Sequence, residues 1–128
     1  MEADVRDLVR VLKTLSDESR LRVLNVLIER ESCVCEVMHA LDISQSKASR
    51  ILGSFYDVGL LKLRKEGLWS LYSIDWDGMD GISKGIVETM ERAFKDSSQM
   101  TIDRERLKNA ERIGPCCAEK IRGEESAA

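Results

Sequence analysis

The chain has 128 residues, 43% of them hydrophobic and 34% charged, with one proline and eight glycines. That suffices for one domain with a buried core, is too short for a typical two-domain enzyme, and excludes collagen-like, proline-rich and wholly disordered classes. Lys plus Arg number 20 against 23 Asp plus Glu, a formal charge of −3, which taken whole speaks against a nucleic-acid partner.

The opening residues Met1 to Asp7 carry acids where a secretory signal needs a basic start and an apolar run. No stretch approaches the roughly 18 apolar residues of a membrane span. The expected setting is a reducing cytoplasm with no membrane partner. Val5, Leu8, Val9, Leu12 and Leu15 repeat at three- and four-residue steps, which predicts a first helix to about Thr14. Ser16 or Asp17 then caps a second helix from Glu18 to Glu29, apolar over so wide an arc that it is largely buried. A third helix begins near Cys33 or Val34 and ends by Leu41. After the short turn Asp42-Ile43-Ser44, with Ser44 as N-cap, a fourth runs from Gln45 to about Asp57.

Gly59 suits the positive-φ position that ends a helix. Leu61 to Arg64 and Leu68 to Ile74 then read as two strands joined by a turn at Lys65-Glu66-Gly67. Ile82, Ile86, Val87, Met90 and Phe94 mark a last amphipathic helix from about Asp80 to Phe94. Residues 95–128 are polar and charged, ordered at best in part, with a weak helical stretch around Arg104 to Ile113. The expected division is thus 1–95 as a reading and dimerisation domain and 96–128 as an extension.

Two helices joined by a tight turn, with a hairpin directly after the second, have the layout of a winged helix-turn-helix, mainly α with one small hairpin. The fourth helix is then the reader. Ser44, Gln45, Ser46, Lys47, Ser49 and Arg50 are donors of the kinds that meet base edges and phosphates, while Ala48, Ile51, Leu52 and Phe55 face the core. Arg64 and Lys65 are expected to bind DNA from the wing, at phosphate or minor groove. From Ser44 to Glu66 five cations stand against Asp57 and Glu66, a local balance of +3 inside an acidic chain. Trp69 and Tyr72 are expected to pack the wing onto the core and not to flank DNA.

The four cysteines form two tight pairs, Cys33 with Cys35 and Cys116 with Cys117, which in a reducing compartment point to metal binding or redox work and not to structural bridges. In a regular helix residues i and i+2 point about 200° apart, so joint coordination by Cys33 and Cys35 is expected to require the first turn of the third helix to be unwound. A thiol enzyme is disfavoured, because no Cys-x-x-Cys stands beside a βαβ pattern.

Leu12 to Leu24, Cys33-Val34-Cys35-Glu36-Val37, Ser44 to Leu52, Gly59-Leu60-Leu61 and Arg64 to Tyr72 resemble, in order, the successive blocks of the ArsR/SmtB repressors, over roughly residues 5 to 95. The resemblance implies a homodimeric winged-helix repressor, not an enzyme, that sits on a palindromic double-stranded operator and leaves when an inducer binds. It implies a dimer built by the first and last helices, here Val5, Leu8, Leu12, Ile82, Ile86 and Met90. It also implies an inducer of the arsenic-responsive branch, As(III) or Sb(III), at Cys33 and Cys35.

That branch commonly carries a third Cys where this chain has Met38, so the missing sulfur is expected from Cys116 or Cys117, in the same protomer or across the dimer. Two pairs also suit a four-sulfur Cd(II), Pb(II) or Zn(II) site. A thiol-redox or persulfide signal on the same residues is a further alternative. Ile51 stands where relatives often have His, so their operator sequences do not carry over.

Overall fold

The computed structural model describes residues 4–110, in the order α1 (Val5–Thr14), α2 (Glu18–Glu29), α3 (Val34–Leu41), α4 (Gln45–Asp57), β1 (Leu61–Glu66), β2 (Trp69–Ile74), α5 (Gly81–Lys95) and α6 (Ser98–Asn109). Cys116 and Cys117 lie outside the described residues. Each helix start carries a local reason. Asp4 accepts from the Arg6 amide, Asp17 from Arg20, Ser44 from Lys47 and Asp80 from Ser83, which satisfies amides that have no partner inside their helices. Between α3 and α4, Asp42 takes a left-handed conformation, φ +55°, one that Asp tolerates better than most residues. The turn is therefore three residues long.

Gly59 closes α4 at φ +85°. Downstream, β1 and β2 pair antiparallel from Leu61 with Ile74 to Glu66 with Trp69. The first strand is longer than the expected Leu61 to Arg64, and the second starts at Trp69, one residue after the expected Leu68. Lys65 and Glu66 continue the ladder, because Gly67 at φ +62° holds the first position of a two-residue loop, the glycine position of a type II′ turn. Ser32, ahead of α3, forms a further antiparallel bridge with Tyr72 through two hydrogen bonds of 2.9 Å.

The core gathers Val23, Leu24, Val26 and Leu27 of α2 with Val37, Ala40 and Leu41 of α3, and with Ala48, Ile51, Leu52 and Phe55 of α4. Leu61 and Ile74 join the base of the hairpin to it, and Val87 and Phe94 bring in α5. The largest departure from the sequence reading is α6. It starts at Ser98, ahead of the expected Arg104, and packs across α2 and α3 with Met100, Asp103 and Leu107 buried. Asp103, fully buried, accepts from Arg22 Nε at 2.7 Å, Arg22 Nη2 at 2.9 Å and Gln99 Nε2 at 2.9 Å. Asn25 donates to the Met100 carbonyl at 3.0 Å and accepts from Arg104 at 2.7 Å. A polar network thus docks this helix alongside Met100 and Leu107, which join the main core.

Candidate DNA-reading face and thiol site

One side of α4 is committed to the core and the other is not. Ala48, Ile51, Leu52 and Phe55 are buried, as their spacing predicts, while Ser44, Ser46 and Arg50 are exposed and Gln45, Lys47 and Ser49 half-exposed. Gln45 Nε2 donates to Ser49 Oγ at 3.2 Å, a link across one helical turn that orients the amide. Among the described residues neither Lys47 nor Arg50 has an ion-pair partner, so two cations on this face remain available to an external anion. The helix offers its N-terminal turn to solvent, the end at which unpaired amides favour negative charge.

The wing stands beside it. Lys62 and Lys65 are exposed, and Lys65 Nζ donates to Ser70 Oγ at 2.7 Å. Arg64 is differently placed: its guanidinium grips Glu31 with two bonds of 2.9 and 2.7 Å and reaches Glu66 at 3.1 Å. The hydrogen bonds with Glu31 lead in holding its pKa above the ordinary arginine value. Trp69 and Tyr72 pack the wing inward, as expected, Trp69 against the thiol cluster and Tyr72 against the main core. Burial, and after it the charge on Tyr56, raises the pKa of Tyr72.

The thiol pair is buried at the start of α3, Cys33 at 4% and Cys35 at 0% exposure. Its geometry corrects the expectation of an unwound helix. Cys33 is not a helical residue. It is the N-cap, with extended φ −89° and ψ 171°, which swings its side chain over the first turn until the two sulfurs stand 2.9 Å apart. Both thiols therefore address one point in space with α3 intact. Leu71 and Trp69 of the wing pack on them, and Met38 packs against the same cluster.

Two residues that motif reasoning passes over hold this arrangement. Glu36, buried at 1% exposure, accepts from the Cys33 amide at 2.9 Å through Oε1 and pairs with Arg30 through Oε2. Arg30 Nη2 in turn donates at 2.9 Å to the carbonyl of Leu107, near the end of α6. A signal for Glu36 does exist in the sequence. An acid three residues after an N-cap is the capping-box spacing, hidden here because the cap is Cys in place of Ser or Thr. His39 is exposed, with its carbonyl accepting from Arg106.

Among the described residues no group of three or more His, Cys, Asp or Glu is placed to hold a metal ion, so these residues supply two thiols and no complete site. Val5, Val9 and Leu12 of α1 and Ile82 of α5 are 70, 41, 49 and 49% exposed, an apolar strip on two neighbouring helices. Among the described residues no helix is long and apolar enough to cross a membrane.

Comparison with known proteins agrees with this layout. Residues 17–62 match the bacterial regulatory protein arsR family. The arsenic resistance transcriptional regulator ArsR1 of Pseudomonas putida is 40% identical over 85 residues, 61% of this chain and 64% of that protein, so the chain spans less than two thirds of that relative. A cadmium resistance regulatory protein, the CadC homolog of Staphylococcus aureus, is 35% identical over 89 residues, 69% of this chain and 68% of that one. Among solved structures, the homodimeric winged helix-turn-helix DNA-binding domain Mb0332 of Mycobacterium bovis superposes with a TM-score of 0.60 over 74% of this chain and 89% of that one. At 22% identity it shows the fold alone. A helix with a polar outer face behind a three-residue turn, a wing and a buried Cys-Val-Cys start to α3 come together with these matches, and the chain belongs to the ArsR family of bacterial regulatory proteins.

Proposed function

We propose that the protein is a metal(loid)-responsive transcriptional repressor that binds operator DNA as a homodimer and is released when As(III) or Sb(III) binds its cysteine thiolates. The observation that carries this reading is the pair of sulfurs 2.9 Å apart at the N-terminus of α3. That helix leads through three residues into α4, and the pair lies directly under the wing, so one small site touches both parts that would meet DNA. Ser44, Gln45, Ser46, Lys47, Ser49 and Arg50 serve as the reading residues, and Lys65 and Arg64 serve the wing. The exposed strip on α1 and α5 supports dimerisation there, which sets two readers on one palindrome.

The third thiolate comes from Cys116 or Cys117. In this reading residues 1–95 read DNA and dimerise, and the 96–128 extension delivers the second pair. The docking of α6 favours delivery within one protomer. Leu107 is joined through Arg30 and Glu36 to the Cys33 amide, and six residues lead on from Ala110 to Cys116, a reach of about 20 Å at roughly 3.5 Å per residue. Ion entry must displace part of the apolar cover to which Leu71, Trp69, Val34 and Met38 contribute. The energetic demand is modest: about 3 kcal/mol of coupling changes operator affinity by roughly two orders of magnitude.

Thiolates favour soft ions in general, so a four-sulfur site for Cd(II), Pb(II) or Zn(II) is the second reading, supported by the likeness to a cadmium regulator. Oxidant or persulfide sensing at the same thiols is the third. Titrating the reduced protein bound to duplex DNA, selected in vitro with the wild-type chain, separates them. The proposal expects release by arsenite and antimonite at the lowest concentrations. Release by Cd(II), Pb(II) or Zn(II) with indifference to arsenite supports the second reading, and release by peroxide or polysulfide alone the third.

A further inference from the structure

The bridge between Ser32 and Tyr72 has a geometric corollary. Antiparallel pairing of those two residues sets Cys33 opposite Leu71, and the hairpin register sets Leu71 opposite Arg64. Directly opposed residues on neighbouring strands share a face. One row therefore runs Cys33, Leu71, Arg64 across three extended segments, with the buried Leu71 in contact with the thiol pair at one end. At the other end the Arg64 fork closes the row by returning to Glu31, two residues ahead of Cys33.

Arg64 is held by two carboxylates, Glu31 and Glu66, which makes it a poor receptor for a phosphate. The positive charge of this face is carried instead by Lys47, Arg50, Lys62 and Lys65. Isolated exposed ion pairs contribute little as a rule. This one is bidentate, involves two carboxylates, and joins segments 33 residues apart.

We propose that Glu31 is a positioning residue of the wing: by gripping Arg64 it ties the hairpin to the loop that carries Cys33 and holds the wing where it meets DNA. Arg64 then serves operator binding through Glu31 and not by touching phosphate. The tie lies on the row along which a filled thiol site presses on the wing, so that site reaches DNA through Leu71 as well as through α3. The inference rests on the DNA-reading role proposed above.

Fluorescence anisotropy with the selected duplex, on the full chain, tests it through Glu31→Gln, Arg64→Met and the double variant. Each single change is expected to weaken binding about threefold to tenfold, and the double change no further than the weaker single. The slope of log K against log salt stays that of the wild type, because every protein–phosphate pairing is kept. Amide exchange at Ser32 and Tyr72 quickens in all three variants.

Tighter binding by Glu31→Gln, with a salt slope lowered by about 0.9 in Arg64→Met, overturns the inference, since Arg64 would then bind a phosphate and Glu31 would restrain it. A Glu31→Gln variant that binds and exchanges like the wild type overturns it alone. A wild-type chain that selects no duplex refutes the DNA reading and this inference together.

Discussion

Replacing Asp103 by Asn is the sharpest test of how α6 is held. The carboxylate is fully buried and receives three hydrogen bonds, two from Arg22 and one from Gln99. The hydrogen bonding of Arg22 to Asp103, first among the causes, holds the Arg22 pKa above the ordinary arginine value. Asparagine keeps the shape but turns one acceptor into a donor that faces a donor, and it leaves the guanidinium uncompensated. Breaking a buried pair in this way costs roughly 3–5 kcal/mol. Arg22 keeps 19% of its side chain exposed and reaches the Leu41 carbonyl at 3.4 Å, so water and that carbonyl take up part of its charge. The expected loss is therefore about 2–3 kcal/mol.

Urea unfolding followed by circular dichroism reads this loss as a midpoint lower by about 1–2 M for a chain of this size. Arg22→Met with Asp103→Leu, which removes both charges and keeps the volume apolar, should be closer to wild type than Asp103→Asn. A loss below about 0.5 kcal/mol for Asp103→Asn would mean that the pair does not hold α6 and would refute the reasoning.

Three further outcomes follow from the same structure. Lys47→Ala or Arg50→Ala should weaken binding to the selected duplex and lower its salt slope by about 0.9 for each phosphate no longer neutralised, as measured by anisotropy across a salt series; unchanged affinity in both removes α4 from the interface. Deleting residues 115–128 should leave DNA binding intact and raise the arsenite concentration needed for release; release at the wild-type concentration excludes Cys116 and Cys117 as ligands. Tyr72 should ionise above the ordinary tyrosine value in an absorbance titration, because burial disfavours its phenolate. A folded-state pKa raised above the unfolded value of about 10 means that this contribution to stability is complete below about pH 10 and is lost as pH rises through the raised value. The step lost in Tyr72→Phe should lie above about pH 10, and loss of a step at about pH 10 instead would contradict the packing of Tyr72.

Which parts of this molecule were legible in the sequence depends on whether a residue acts locally. The first four helices and α5 were readable because Asp17, Ser44 and Asp80 cap within three residues of where they stand and Gly59 stops α4 at its own φ. The first wing strand ran two residues past expectation and the second began one residue later, since the decisive quantity was the loop length that Gly67 permits, not strand propensity. In α6 the anchors are Met100, Asp103 and Leu107, and a buried aspartate reads as a surface residue until its distant partner Arg22 is known.

The same distinction applies at the candidate site. Cys33 and Cys35 stood out by their spacing. That spacing alone gave the wrong geometry, because whether Cys33 is a helical residue or a cap depends on Glu36 and on the Ser32 bridge to Tyr72. The positive face split from an acidic chain was visible as charge order along Ser44 to Glu66. The commitment of Arg64 to Glu31 was not, since those residues lie 33 positions apart.

The central claim is that the paired thiols at the head of α3 receive the signal and α4 with the wing delivers it. Its most direct test is arsenite titration of the complex between the reduced full chain and its selected duplex, for the wild type, Cys33→Ser and Cys35→Ser. The account predicts that all three bind the duplex with similar affinity and that arsenite releases the wild type alone. Release of either serine variant at the wild-type arsenite concentration would contradict it.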